Sequence, residues 1–434
     1  MTAAVGPSPG RPHLVVIGAG WAGLAAAVDA VQSGWRVTLL EAAGQPGGRA
    51  RSLLHDGHWL DNGQHILIGA YRETLRLMRE VGVSPEQALH RRPLELVYPN
   101  GHGLRLPKAP PLLAFASGVW RHSAWPLHAR LALLKTAARW GLSGFRCAPA
   151  RTVAELTAHL PAVLRDELID PLCVAALNTP SEQASGTVFL RVLKDALFSG
   201  HGSADLLLPR WPLQALLPQP AQQWLLSQGA EVQLGRRVQQ LAPTATGWQV
   251  DELQADRVVL ACSAVEAARL AAPFAPAWAA QAAAFRYEPI VTVTVHAVGA
   301  TLALPMLALH ANDTQPAQFV FDLGLLGLQP GRLAFVISGA RPWVDRGLDA
   351  CAQAVLQQAR RAFPHRTWAQ QLQVVKVIAE KRATFACVPD LKRPASCVLP
   401  GLAAAGDYVQ GPYPATLEGA VRSGRAAAQL LLGA

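Results

Sequence analysis

The fold is decided by residues 13–41, HLVVIGAGWAGLAAAVDAVQSGWRVTLLE. Residues 13–17 are a short apolar run, as expected of a strand buried on both faces. Gly18-Ala19-Gly20-Trp21-Ala22-Gly23 follows, a GxGxxG, and residues 24–33 read as an alanine-rich helix. A second strand spans 35–40 and ends at Glu41, 18 residues after Gly23. A dinucleotide-binding unit carries its acid at about that distance. Gly18 permits the tight turn, Gly20 lets a diphosphate approach the backbone, and Gly23 lets the helix pack close to the sheet. The helix N-terminus offers free amides and partial positive charge to that diphosphate. Glu41 is suited to accept bonds from ribose hydroxyls, which favours an unphosphorylated adenosine ribose.

Working outward, Glu41-Ala42-Ala43-Gly44-Gln45-Pro46-Gly47-Gly48-Arg49-Ala50 adds a second glycine pair and an arginine. This extension resembles that of the amine oxidase, phytoene desaturase and protoporphyrinogen oxidase group of flavoproteins. The resemblance implies that Gly47, Gly48 and Arg49 lie along the diphosphate and ribitol of FAD. Arg49 suits that place as a permanent planar cation.

At the other end, residues 402–407 are an apolar run closing in Gly406-Asp407, followed by YVQGPYPATLEGAV and a helix to Leu432. The same group ends in such a motif. By that resemblance Asp407 holds the ribitol, and backbone at Ala415, Thr416 and Leu417 faces the flavin pyrimidine. A helix N-terminus there would stabilise the anion of reduced flavin. In the middle, strands are expected at 229–234, 247–250 and 256–262, with Val238 resembling the valine that packs on adenine.

The expected class is therefore α/β with an α+β substrate domain. A Rossmann-like FAD-binding domain of the glutathione reductase/amine oxidase type is split over 10–70, 205–265 and 395–434. A sheet-plus-helix substrate domain, 71–204 and 266–394, is inserted. Alternating strands at 289–298, 318–323, 332–338 and 373–381 should form its sheet, covered by helices at about 153–170, 183–198 and 347–362. No second GxGxxG follows a strand, so no nicotinamide domain is read and an external electron donor is expected.

Residues 61–75, DNGQHILIGAYRETL, are the most distinctive stretch. With the GxGWAG fingerprint and the GDYVQGPYPATLEGAVRSG closure, it closely resembles the hydroxysqualene dehydroxylase family of bacterial hopanoid synthesis, over essentially the whole chain. The resemblance implies an isoprenoid substrate, a C30 allylic alcohol, whose hydroxyl leaves after protonation. Hydride from the reduced flavin N5 would replace it, giving squalene. That chemistry needs a dry apolar site with one placed acid. Gly63 and Gln64 would lie at the cofactor. His65, Tyr71, Tyr408 and Tyr413 are the candidate catalytic residues, and Asp61 would fix the turn. Two rival readings remain open: a carotenoid or phytoene-type desaturase, and a non-catalytic isoprenoid escort protein. The intact flavin motifs favour an enzyme.

Composition bounds the rest. With 51% hydrophobic and 16% charged residues, the 434-residue chain is not disordered. Six cysteines lack any CxxC pairing, so neither zinc nor a disulfide framework is expected. Residues 1–14 lack a secretion signal, so the expected location is cytoplasmic. The net charge of +10 could draw nucleic acid, yet no Lys/Arg block carries interleaved aromatics, and no nucleic-acid partner is expected. The longest stretch without Asp, Glu, Lys or Arg, 289–312, is 24 residues, but its alternation reads as strand rather than a membrane span. Residues 129–142 form a basic amphipathic helix with tryptophans nearby. It is suited to peripheral contact with the inner face of the cell membrane, or to packing on the core.

Overall fold

The computed structural model describes residues 11–433. Most of the segment read for a secretion signal, and the terminal residues 10 and 434 of the expected domain ranges, lie outside the described residues.

Strand His13–Ile17 is buried at every position. Arg36–Glu41 and Arg257–Leu260 flank it in parallel. Glu231–Leu234 extends one side, and Leu402–Ala404 the other, both parallel. Cys397–Leu399 closes the edge antiparallel. Three remote chain segments thus share one six-stranded sheet. Helix Trp21–Gln32 packs on the closing helix Leu417–Leu432 at very short range. A Cβ on Gly424 would sit 2.0 Å from the Ala22 carbonyl oxygen. Buried Arg425 ties the closing helix to two neighbours. It reaches Asp29 at 2.7 Å, Glu80 at 2.7 Å and Glu73 at 3.2 Å.

The second large sheet is antiparallel, in the order Met306–Ala308, Phe319–Asp322, Arg332–Ile337, Tyr287–His296, Gln373–Phe385. Alternation sends Val291, Val293 and Val295 to one face, where they bury against helix Leu348–Ala362. The opposite face carries Phe319, Phe321, Ala334 and Val336, with Ile290 at its margin, and packs on Leu206, Leu208, Ile66 and Ile68. The uncharged stretch 289–312 is most of one strand, a turn and another strand. Among the described residues no helix is long and apolar enough to cross a membrane.

Two expectations need correction. Of the three helices assigned to cover this sheet, only Leu348–Ala362 shares its core cluster. Helix Gly186–Phe198 instead joins Pro111–Arg121 and Leu127–Leu142 in a cluster that meets this sheet at its end, at Phe385 and Tyr287. The single helix expected at 153–170 is broken into Val153–Thr157, Ala162–Leu164, a π-helical turn Arg165–Ile169 and Asp170–Leu177. Two prolines explain this. Pro161 cannot continue a helix from Leu160, and Pro171 has no N–H for the Glu167 carbonyl. The Tyr98 hydroxyl donates to that carbonyl instead, at 3.1 Å.

Candidate active site

The glycine turn is built by close backbone approaches. Gly18 has φ +109°, and a Cβ there would lie 2.6 Å from the Ala261 carbonyl oxygen. A Cβ on Gly23 would lie 1.8 Å from the Gly18 carbonyl oxygen. Ala19 accepts from the Gly47 amide at 2.8 Å, which brings the second glycine pair beside the first. A Cβ on Gly48 would meet the Gly20 Cα at 3.2 Å. Trp21 opens the helix and donates its indole N–H to Ala50 at 3.0 Å. The Glu41 carboxylate accepts from the Ala19 amide at 2.7 Å and the Ala43 amide at 2.8 Å. The Gly235 and Arg236 amides bond to the Ala43 and Glu41 carbonyls, so the segment leading to buried Val238 lies beside the acid. The Val238 carbonyl is taken by Arg269 at 2.6 Å.

A second ion pair joins the two chain ends here. Arg49 Nη2 donates to Asp407 Oδ1 at 2.6 Å, and Nη1 donates to the Ala383 carbonyl at 2.8 Å. Burial disfavours the Arg49 charge, but Asp407 outweighs it and raises the guanidinium pKa. Gly406 fits because its amide donates to the Ser423 hydroxyl at 2.7 Å while a Cβ would strike the Tyr408 ring.

Sequence reading missed Arg393, which clamps this loop. It donates to the carbonyls of Gly411 at 3.0 Å, Tyr413 at 2.6 Å, Tyr408 at 3.4 Å, and Asp407. Carbonyl recognition of this kind leaves no motif. Leu417 begins the closing helix, and Thr416 caps it, accepting from the Gly419 amide at 3.0 Å; Ala415 is the residue before the cap.

Residues 61–68 form the opposite wall. Asp61 accepts from the Ser52 hydroxyl at 2.6 Å and the Leu213 amide at 3.0 Å, and burial raises its pKa to about 6. Asn62 Nδ2 donates to the Arg49 carbonyl at 2.8 Å and to Glu380 at 3.1 Å, linking the Gly47-Gly48-Arg49 turn to strand Gln373–Phe385. Gly63 has φ +87°, and half-buried Gln64 follows it. His65 Nδ1 lies 2.8 Å from the Gly63 carbonyl, which can only accept, so Nδ1 carries the proton. Burial lowers the His65 pKa. With Nδ1 carrying the proton, the neutral ring offers Nε2 as an acceptor.

The tyrosines separate. Tyr413 donates to Asp195 at 2.8 Å, and Arg191 donates to the same carboxylate oxygen at 2.8 Å. Its proton is committed there. Tyr71 lies beside Thr416, and burial pushes its phenol above the ordinary range. Tyr408 is buried, its hydroxyl has no partner, and burial raises its pKa further. An orphaned buried hydroxyl, glycine cradles that exclude Cβ atoms and a free helix N-terminus are the features an anionic dinucleotide carrying a planar ring system requires. The residues present fit FAD.

Residues 21–432 match the flavin containing amine oxidoreductase family. The chain belongs to that family. As a flavin containing amine oxidoreductase it is an FAD-dependent oxidoreductase. It is 29% identical to hydroxysqualene dehydroxylase of Rhodopseudomonas palustris, over 96% of this chain and 98% of the relative. It is 26% identical to the 15-cis-phytoene desaturase of Glycine max, over 98% of this chain and 80% of that one. An oxidoreductase structure from Methanosarcina mazei superposes with a TM-score of 0.73 at 16% identity, covering 95% and 99% of the two chains, a likeness of fold.

Proposed function

We propose that this flavoenzyme reductively dehydroxylates hydroxysqualene to squalene. The observation that carries the reading is the 61–68 turn. It is bonded to Arg49 through Asn62, and its Ile66 and Ile68 pack on the sheet face that carries Ile290, Val336 and Phe319. The likeness to the Rhodopseudomonas enzyme over nearly the full length supports it.

In the reaction a C–O bond breaks, a C–H bond forms, and the oxygen leaves as water after gaining one proton. FAD held by the residues below would supply the hydride in its reduced state, with electrons from an external donor. The chain's residues do the rest. Gly18, Gly20, Gly23 and the N-terminus of helix Trp21–Gln32 hold the diphosphate. Glu41 and Val238 take the adenosine, and Gly47, Gly48, Arg49, Gly406 and Asp407 the diphosphate and ribitol. Ala415, Thr416 and Leu417 present the closing helix to the pyrimidine. Segments 10–70, 205–265 and 395–434 act as the cofactor domain, and 71–204 with 266–394 as the substrate domain. With His65 an acceptor and Tyr413 committed to Asp195, Tyr71 and Tyr408 remain as proton donors, each kept neutral by burial. Apolar walls keep water from the allylic cation.

The lipid is reached from a surface built by helices Pro111–Arg121 and Leu127–Leu142. Leu112 is 70% and Leu142 91% exposed, with Leu113, Trp120, Leu127 and Leu131 also outward. No Asp or Glu lies between Lys108 and Arg146. Anionic lipid is the matching partner. Trp125 and Trp140, expected among the anchors, are buried instead; Trp125 donates to Glu167 at 2.8 Å.

Anaerobic incubation of the reduced holoenzyme with hydroxysqualene tests the proposal. Squalene carrying deuterium from deuterated flavin is the expected product. Oxidation of phytoene with no squalene formed would favour the desaturase reading instead.

A further inference from the structure

Thr292 is 1% exposed, yet its hydroxyl has no hydrogen-bond partner. Strand alternation places it away from Val291 and Val293, on the face of its cross-strand neighbour Val336. A lone buried hydroxyl on an apolar face is costly unless something satisfies it. What lies beside it is informative. A Cβ built on Gly63 would be 3.9 Å from Thr292 Oγ1 and 3.9 Å from His65 Cε1. The Cβ position of Gly63 is therefore flanked by the threonine hydroxyl and the histidine ring. His65 has spent Nδ1–H on the Gly63 carbonyl, so its Nε2 lone pair is the ring's remaining polar group.

One unused donor and one unused acceptor thus lie on either side of the place a Gly63 side chain would take. We infer that Thr292 and His65 form a recognition site for the alcohol oxygen of an otherwise apolar lipid. Thr292 Oγ–H donates to that oxygen, and the alcohol O–H donates to His65 Nε2. Each group gains the partner it lacks, and a hydroxyl can serve both at once. The inference rests on the proposed function, in that it assigns the alcohol of the substrate to these residues. Hydrocarbon product, lacking the oxygen, makes neither bond and is released in preference to substrate.

The test uses oxidised holoenzyme, in which lipid binds without turnover and is read by perturbation of the flavin absorbance. Wild type should bind hydroxysqualene in preference to squalene. Thr292→Val should lose roughly tenfold in affinity for the alcohol, with squalene unchanged, and Thr292→Ser should keep the preference. Lipid-free Thr292→Val should melt no lower than wild type, since it removes an unsatisfied buried hydroxyl. Thr292→Val retaining the preference would overturn the inference. So would a lower melting temperature without lipid, which would give the hydroxyl a structural partner. A changed flavin content or lipid-free spectrum would assign the hydroxyl to the cofactor and overturn it equally. Wild type lacking any preference would sink the dehydroxylase reading itself, a failure visible before any variant is compared.

Discussion

Arg49 and Asp407, 358 positions apart, are joined by a 2.6 Å ion pair between Nη2 and Oδ1. The arginine is 40% exposed and the aspartate buried, so the pair is worth less than a fully buried one. Its larger consequence is positional, since it holds both cofactor motifs against each other. Asp407→Asn and Arg49→Gln should each weaken FAD binding by about tenfold, the low end for a charged hydrogen bond. Titration of apoprotein with FAD checks this. Arg49→Lys should restore only part of the loss, because one ammonium cannot reach both Asp407 and the Ala383 carbonyl.

Arg393 should behave as a positioning residue. Arg393→Ala frees four carbonyls of the 407–413 loop, and the expected result is loss of bound flavin and a shifted flavin redox potential. Arg393→Lys should keep the fold, measured by far-ultraviolet circular dichroism, while still shifting the potential.

Much of this site was legible in sequence, for a local reason. Gly18, Gly23 and Glu41 act within one strand–turn–helix unit, so spacing alone places them. Asp407 stood out because Gly-Asp ends an apolar run. Arg393 and Thr292 were not legible. Arg393 binds backbone, which has no side-chain signature, and a threonine in an alternating strand is ordinary there. Asp195 had a weak signal, its i,i+4 spacing from Arg191. The fold reading erred where one helix, 153–170, was carried across Pro161.

Asp61 gives stability a pH dependence whose sign is set by its raised pKa. Between the ordinary value of 3.8 and about 6 the folded protein binds the proton that the unfolded chain has released. Its contribution to stability is therefore present at low pH and lost as pH rises through that window. Relative to Asp61→Asn, wild type should lose on the order of 2–3 kcal/mol between pH 4 and pH 7. Denaturant unfolding of both proteins at the two pH values measures it, and a constant difference would refute the assignment.

Gly424 controls the spacing of two helices. Gly424→Ala places a methyl against the Ala22 carbonyl and should cost about 1–3 kcal/mol of stability. Thermal unfolding reports it. Flavin release should accompany it, as expected of a helix whose N-terminus is proposed to hold the diphosphate.

The exposed leucines predict vesicle binding. Holoenzyme should float with vesicles containing anionic lipid, less so at high salt. Replacing Leu112, Leu113, Leu131 and Leu142 by serine should abolish flotation while leaving the melting temperature nearly unchanged. Flotation of the fourfold variant would place the contact elsewhere.

The strand Leu402–Ala404 fills the sheet next to Arg257–Leu260, and helix Leu417–Leu432 covers Trp21–Gln32. The proposed nucleotide site is therefore incomplete until residues 402–432 have been made. The nascent N-terminal unit waits, with one flank of its sheet bare, until the last strand arrives. A chain stalled near residue 400 would therefore be colourless and prone to stick to its neighbours.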